Sequence, residues 1–341
     1  MSLPRNQILV GDALDRVREL PDASVDCVVT SPPYFRLRNY DHDNQLGLEA
    51  HVDEWVAGLH TLLVEVRRVL VPTGTIWLNL GDSYSTKPAE GAGRKSLLLG
   101  PERLALQLVD DGWLVRNKIV WAKTNTIPTS VADRLATKHE FIYVLARSPT
   151  YFFDLDAIRE PHVSHSPKRK ASTRPASRKP DRPAWLGPNS DGDRGLAALH
   201  AAGLLGHPLG KNPGDVWRLA VSGYRGPHFA TFPVSLAQRM VEAGCPERRC
   251  SQCRIAYRRP VRRLGAVATR LALRAMCDCD AAGEPGLVLD PFIGSGTTAI
   301  AAEALGRDWL GIELNSDYVA LATDRIDGER ASRRRKEVIH E

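Results

Sequence analysis

Two segments near opposite ends of this 341-residue chain constrain its fold more than anything between them. Residues 25–29 form a β-branched, apolar run that stops at Thr30-Ser31-Pro32-Pro33-Tyr34. Residues 287–289 form another, which stops at Asp290-Pro291-Phe292-Ile293-Gly294-Ser295-Gly296-Thr297-Thr298. Short apolar runs of this kind predict strands covered on both faces, as in a parallel sheet. In open α/β sheets the carboxyl ends of such strands are where ligands bind. The first segment is stiff, because each proline fixes φ and removes an N–H, and it presents a hydroxyl beside an aromatic ring. The second is a glycine turn opening a helix, so its backbone can approach a ligand closely.

Strand and helix signals alternate around these anchors, which predicts an α/β fold. A short strand over 7–10 ends at Gly11-Asp12, and a helix over 14–20 follows. Residues 51–70 predict a long amphipathic helix, with Trp55, Leu59, Leu62, Leu63, Val66 and Leu70 near helical spacing. Pro72-Thr73-Gly74 should stop it before a strand over 75–80 that ends in Gly81-Asp82-Ser83. A helix over 97–109 and two strands over 113–121 and 141–146, paired antiparallel, complete a first half within residues 1–150. Residues 215–247 and 284–341 form the second half, with helices over 234–242, 297–305 and 318–326 and a strand over 309–312 that ends in Glu313. Between the halves, the chain from about Pro161 to Asn212 turns to Pro, Ser, Arg, Gly and His without periodicity, as expected of a linker or of loops that order on a ligand. Residues 248–283 read as an insertion, because Ala243-Gly244-Cys245-Pro246 would connect easily to Pro285-Gly286-Leu287.

Charge narrows the partners. The net charge is +6 with a pI near 9.0, and eight Lys or Arg fall between Arg159 and Arg182 against Glu160 and Asp181. Arg258, Arg259, Arg262 and Arg263 form a second basic set. Clustered basic charge fits a polyanion, whereas the run Arg333-Arg334-Arg335-Lys336 alone reads as solvated surface. No apolar run approaches the ~20 residues that span a bilayer, so no membrane partner is expected. Met1-Ser2-Leu3-Pro4-Arg5 lacks a signal-peptide stretch, which makes cytoplasmic localisation the expectation.

Five of the six cysteines lie between 245 and 279. In a cytoplasmic chain this raises a metal site before a disulfide framework. Cys250 and Cys253 form a CxxC, and Cys277 and Cys279 a CxC, spacings that could place four thiolates around one Zn²⁺. Cys245 is an alternative ligand, and reduced vestigial thiols or redox use remain open. The insertion has little apolar content, so a metal would supply stability that its core cannot.

At the glycine turn the lysine of a Walker-type phosphate loop is absent, as is the GxGxxG dinucleotide pattern. Glu313 stands 23 residues after Asp290, at the end of the next strand, where an acid can accept hydrogen bonds from ribose hydroxyls. This combination predicts a nucleoside held without a phosphate cradle. Asp290-Pro-Phe-Ile-Gly-Ser-Gly-Thr-Thr298 closely resembles the S-adenosylmethionine motif of amino-group DNA methyltransferases. The resemblance implies that Asp290, Phe292, Gly294, Ser295, Gly296 and Thr297 surround the methionine part and that Glu313 holds the ribose. It also carries Asp12 to the adenine amino group and Phe232, of Phe232-Pro233, to the methionine end, although a Gly-Asp turn and a lone Phe-Pro both have structural readings. Thr30, at the end of its strand, is grouped with these cofactor contacts.

Thr30-Ser31-Pro32-Pro33-Tyr34 then suits methylation of an exocyclic amine. Such an amine conjugates with its ring and is a poor nucleophile, so a site must hold its N–H groups with acceptors while nitrogen attacks the sulfonium methyl. The Ser31 hydroxyl and the Pro32 carbonyl can serve, Pro33 keeps the pocket preorganised, and Tyr34 can stack on an extruded base. In the family this resembles, Ser-Pro-Pro-Tyr is associated with cytosine N4 and Asp- or Asn-Pro-Pro-Tyr with adenine N6. Ser31 therefore points to cytosine, with adenine as the alternative. Methylation at cytosine C5 needs a thiolate nucleophile; no Pro-Cys dipeptide is present and Cys27 lies inside an apolar strand. Asp82 is open between a target contact and a helix cap. Trp121-Ala122-Lys123 and His139-Glu140 also resemble family features near the target cleft.

The resemblance implies a Rossmann-like class I methyltransferase fold: a mostly parallel seven-stranded sheet with one antiparallel strand, circularly permuted. Residues 151–214 would be its target-recognition region and residues 248–283 a zinc-ribbon-like insertion. It further implies double-stranded DNA as substrate, a homodimer, and a companion restriction endonuclease as partners to test. The two anchor strands, 259 positions apart from Ser31 to Asp290, should be neighbours in the sheet.

Overall fold

A computed structural model describes residues 3–340 except 41, 43, 127, 163–206, 222–231, 265 and 266. Twelve strands occur in it: β1 (Gln7–Val10), β2 (Val25–Thr30), β3 (Leu70–Leu80), β4 (Leu114–Lys123), β5 (His139–Ala146), β6 (Val216–Leu219), β7 (Arg248–Cys250), β8 (Val261–Leu264), β9 (Val267–Arg270), β10 (Gly283–Pro285), β11 (Leu287–Asp290) and β12 (Asp308–Glu313). The α-helices are α1 (Ala13–Arg18), α2 (Val52–Val69), α3 (Gly100–Asp110), α4 (Val234–Gly244), α5 (Thr297–Ala304) and α6 (Ser316–His340). Eight strands form one sheet in the order β1-β12-β11-β2-β3-β5-β4-β6. Among its described strands only β5 runs against its neighbours, pairing antiparallel with β3 and β4. No described helix is long and apolar enough to cross a membrane.

The anchor strands are neighbours. β2 and β11 pair parallel, with Val288 opposite Cys27 and Leu289 opposite Val28. Every residue of both strands is buried, and their side chains alternate between two cores. Val25 and Val28 join the core covered by α1, α2 and α3. Cys27, Val29 and Val288 join the core covered by α4 and α5. Helices on both faces explain why these strands read as unbroken apolar runs.

Several expectations need correction. Among the described residues the sheet has eight strands, not seven, because Val216–Leu219 adds in parallel to β4 and places Trp217 opposite Trp121. Trp217 stacks on Trp77 at 6.1 Å between centroids, with the Arg239 guanidinium 4.6 Å from its ring. That burial holds a strand too short to signal itself in sequence. Pro72-Thr73-Gly74 does not end α2, which stops at Val69. It lies within β3, where the register against β2 jumps from Val25–Leu70 to Cys27–Thr75, an irregularity that absorbs the proline. Helix α6 runs well past 326, so Arg333 sits on a helix, donating to the Ile300 carbonyl at 2.9 Å. Arg330 pairs with Glu303 of α5 and Asp327.

The expected target-recognition region falls largely outside the described residues. Its described ends meet: Glu160 and Lys211 exchange backbone hydrogen bonds of 3.1 and 2.8 Å, and Arg239 donates to Glu160 at 2.9 Å.

Candidate active site

The carboxyl ends of β2, β3, β11 and β12 open into one cavity of about 500 Å³. Both sequence segments reach it. Ser31, Pro32, Pro33 and Tyr34 line one side, and Phe292, Gly294, Ser295, Thr297 and Glu313 the other, with Asp12 and Phe232 also in the wall.

The glycine turn is held from beneath. Asp290, 1% exposed, accepts from Thr30 Oγ1 at 2.7 Å, Thr298 Oγ1 at 2.6 Å and the Phe292 N–H at 3.0 Å. Thr30, Gly296 and Asp290 do not line the cavity; Thr30 and Asp290 are bonded to each other beneath its floor. Burial, opposed by these hydrogen bonds, pushes the Asp290 carboxyl up to about 6. Gly296 sits at φ +80° as the residue before α5, a conformation that side chains other than glycine's adopt at a cost. Arg325, on α6, donates to the Ser295 carbonyl and Oγ at 2.8 Å and to Thr297 Oγ1 at 2.9 Å, fixing the turn from the opposite side. Glu313 accepts from the Gly294 N–H and the Asn315 N–H, each at 3.0 Å. A carboxylate offers about four lone-pair sites, which leaves acceptor capacity facing the cavity. Burial holds the Glu313 carboxyl above its ordinary range.

At the first segment, the Pro33 carbonyl accepts from Trp55 Nε1 at 2.9 Å, tying the prolines to α2. Ser31 Oγ lies 3.1 Å from the Tyr34 hydroxyl, which donates to Glu140 Oε2 at 2.8 Å. Asn79 Nδ2 reaches Ser31 Oγ at 3.3 Å, Tyr34 at 2.6 Å and Glu140 Oε2 at 2.8 Å. Glu140 is paired with Lys123. The result is a chain from Ser31 through Tyr34 to a carboxylate–ammonium pair, all lining one cavity. Burial, and then the Glu140 charge, raise the Tyr34 phenol well above its ordinary range, so it stays a neutral donor.

Gly81 makes this arrangement fit. A Cβ there would stand 2.7 Å from Tyr34 Cε2. Gly81→Ala is therefore expected to displace the Tyr34 ring and to slow turnover by about 10–10²-fold with cofactor affinity kept. Equal turnover in the variant would contradict a positioned ring.

Asp82 caps the start of α3. It accepts from the Leu99 N–H at 3.0 Å, the Gly100 N–H at 3.3 Å and its neighbour Ser83 N–H at 2.9 Å, and it does not line the cavity. Asp82→Ala should cost about 1 kcal/mol in denaturant unfolding and leave turnover of the folded protein unchanged. Asp12 does both jobs: it caps α1, accepting from Leu14 and Asp15 N–H at 2.9 and 3.1 Å, and lines the cavity.

Sequence reasoning missed Asn79, Arg325 and the cover of the cavity. Tyr40 packs edge-on against Tyr318, 6.3 Å between centroids, and its carbonyl accepts from Asn315 Nδ2 at 3.5 Å. The segment after Tyr34 thus reaches across to the second half of the chain.

A family described as DNA methylase, covering N6 and N4 amino-methyltransferases, matches residues 25–324. The chain belongs to this family. These are S-adenosylmethionine-dependent methyltransferases of DNA amino groups. Among its relatives, the Type II methyltransferase M.XycI of Xanthomonas campestris pv. cyanopsidis is 33% identical over 94% of this chain and 88% of its own length. In fold the methyltransferase is similar to the PvuII DNA methyltransferase (cytosine-N4-specific), with TM-score 0.57 and 17% identity over 96% of this chain and 92% of that one. It is also similar in fold to a Thermus thermophilus protein solved with S-adenosyl-L-methionine, with TM-score 0.53 and 24% identity over 95% of this chain and 93% of that one.

Proposed function

We propose that this methyltransferase moves the methyl group of S-adenosylmethionine onto the exocyclic N4 amine of a cytosine extruded from double-stranded DNA. One observation carries the reading: Ser31-Pro32-Pro33-Tyr34 and the Phe292–Glu313 wall line the same cavity, at the ends of paired strands. The cytosine-N4 specificity printed for the PvuII enzyme, and serine at position 31, support N4 over N6.

In this reading Glu313 accepts from the ribose, Asp12 faces the adenine amino group, and Phe292 and Phe232 lie along the methionine part. The bound cofactor supplies a sulfonium methyl group. Ser31 Oγ and the Pro32 carbonyl accept the two N–H groups of the target amine and turn its lone pair toward that methyl. As the N–C bond forms, the C–S bond breaks and its electron pair remains on sulfur. The methylated amine then sheds one proton through its hydrogen bond to Ser31 as Ser31 passes its own proton to Tyr34 and Tyr34 passes its own to Glu140, which ends as the carboxylic acid. Ser31 can accept because its own proton points to Tyr34, whose proton points to Glu140. Stacking on the Tyr34 ring offsets part of the cost of extruding the base. The basic residues between 159 and 182 would meet phosphates, which position the duplex without reading sequence.

The test is expression of the chain in a bacterial host whose DNA lacks N4-methylcytosine, followed by complete digestion of that DNA and mass spectrometry of its nucleosides. N4-methyl-2′-deoxycytidine is the expected product. New N6-methyl-2′-deoxyadenosine in its place would assign the site to adenine.

A further inference from the structure

The six cysteines are used unequally. Cys27 and Cys245 are buried in the core beside the sheet. The other four come from two separate turns, yet the sulfur atoms of Cys250, Cys253, Cys277 and Cys279 all lie within 4.8 Å of one another. Four thiolates around Zn²⁺ at about 2.3 Å stand about 3.8 Å apart, so small side-chain adjustments would close the shell. The first turn is already shaped for this. The Cys250 carbonyl accepts from the Arg254 N–H at 3.0 Å and the Cys250 N–H donates to the Ile255 carbonyl at 2.9 Å, with Arg254 at φ +64°.

Apolar burial does not hold this unit together. Among the described residues from 248 to 285, the buried side chains are Arg249 and Cys250. Its described sheet structure is two short antiparallel pairings, β7 with β10 and β8 with β9, and two isolated antiparallel bridges, Arg249–Ala256 and Arg258–Arg274, and two-stranded pairings of that size are marginal in water. Four ligands leave no open coordination position, which marks a structural metal and not a catalytic one.

Its position gives such a metal a purpose. Arg249, adjacent to the first ligand and fully buried, donates to Asp26 Oδ2 at 2.7 Å and to the Ser24 carbonyl at 2.8 Å. Asp26 lies in β2, and the same Oδ2 accepts from the Leu287 N–H of β11 at 2.7 Å. Glu284 braces Arg249 at 2.9 Å and pairs with Arg254 and, at 2.8 Å, with Arg5. These contacts join the starts of β2 and β11, whose opposite ends form the cavity.

We propose that Cys250, Cys253, Cys277 and Cys279 hold a structural Zn²⁺, and that the loaded unit locks Arg249 onto Asp26, clamping β2 to β11 from the end remote from the cavity. Metal binding and folding of this unit would then be one event. A lost ion would leave Arg249 free to withdraw and Asp26 buried without its cation, a costly state.

The full chain, purified in reducing buffer without chelator, should carry about one Zn²⁺ per molecule by inductively coupled plasma mass spectrometry. The double variant Cys253→Ser/Cys279→Ser should lose nearly all of it. A zinc-free wild type with four titratable thiols or a disulfide, or a double variant with wild-type zinc, would overturn the site. The clamp is read separately by hydrogen exchange on wild-type protein, which does not depend on the variant folding. Stripping the metal with a chelator should speed exchange of the amides of 25–29 and 287–290 by about tenfold or more, and added Zn²⁺ should restore it. Arg249→Lys should keep its zinc while showing the faster exchange. Unchanged exchange in these strands, after stripping or in Arg249→Lys, would overturn the clamp.

Discussion

Ser31→Ala is expected to slow single-turnover methyl transfer by about 10²-fold or more while leaving the dissociation constant for S-adenosylmethionine nearly unchanged. The reason is local. Ser31 Oγ is bonded to Tyr34 and Asn79 on the target side of the cavity, and none of the hydrogen bonds that shape the glycine turn involves it. Alanine removes the acceptor for one target N–H and cuts the link to Glu140, so nitrogen loses help in attacking and in shedding its proton. Glu140→Gln should fall between wild type and Ser31→Ala, because Tyr34 keeps a partner but Lys123 loses its counter-charge. Rapid-quench transfer of labelled methyl to DNA, beside calorimetric cofactor binding, separates the two effects. A Ser31→Ala enzyme that transfers normally, or one that fails to bind cofactor, would contradict the role.

Asp290→Ala is expected to act in the opposite sense, abolishing cofactor binding and destabilising the fold by about 1–3 kcal/mol for each buried donor left unpaired. The Thr30 and Thr298 hydroxyls and the Phe292 N–H all donate to this one buried carboxylate. Without it the turn that carries Gly294 and Ser295 has no anchor, and a loss of that size is a large share of a typical domain's stability. The same group carries a pH signature. Its folded pKa of about 6 lies above the unfolded value of about 3.9, so the folded state holds the proton more tightly. The stability it adds is complete below about pH 3.9 and is lost as pH rises through about 6. Relative to Asp290→Asn, the wild type should therefore be more stable in urea near pH 4 than near pH 7. A pH-independent difference would contradict the assignment.

What the sequence disclosed and what it withheld follow from the range of the interactions involved. The pairing of β2 with β11 was legible because both strands are covered on two faces and end in segments whose chemistry must meet. Helix α2 was legible from its apolar stripe. The four cysteines that converge were legible because few residue types cluster at such spacings. The Ser31–Tyr34–Glu140 chain was only half visible: Tyr34 and Glu140 stand 106 positions apart, and antiparallel pairing of β5 with β3 and β4 brings them together. Asn79 and Arg325 carried no local signal, since each acts through a long-range side-chain contact. Asp26 does carry one. A carboxylate inside an otherwise apolar strand demands a buried partner, and that partner is Arg249. The eighth strand and the proline inside β3 lay beyond reach because burial of Trp217 and a register shift, not propensity, create them.

Cytosine-N4 transfer at this site is tested most directly by transfer of isotopically labelled methyl from S-adenosylmethionine to duplex DNA by the purified full chain, with the product digested and the labelled nucleoside identified. Label is expected in N4-methyl-2′-deoxycytidine, at a rate that Ser31→Ala reduces without loss of cofactor binding. Label in N6-methyl-2′-deoxyadenosine, or no label in any duplex while the chain binds both cofactor and DNA, would contradict cytosine-N4 transfer.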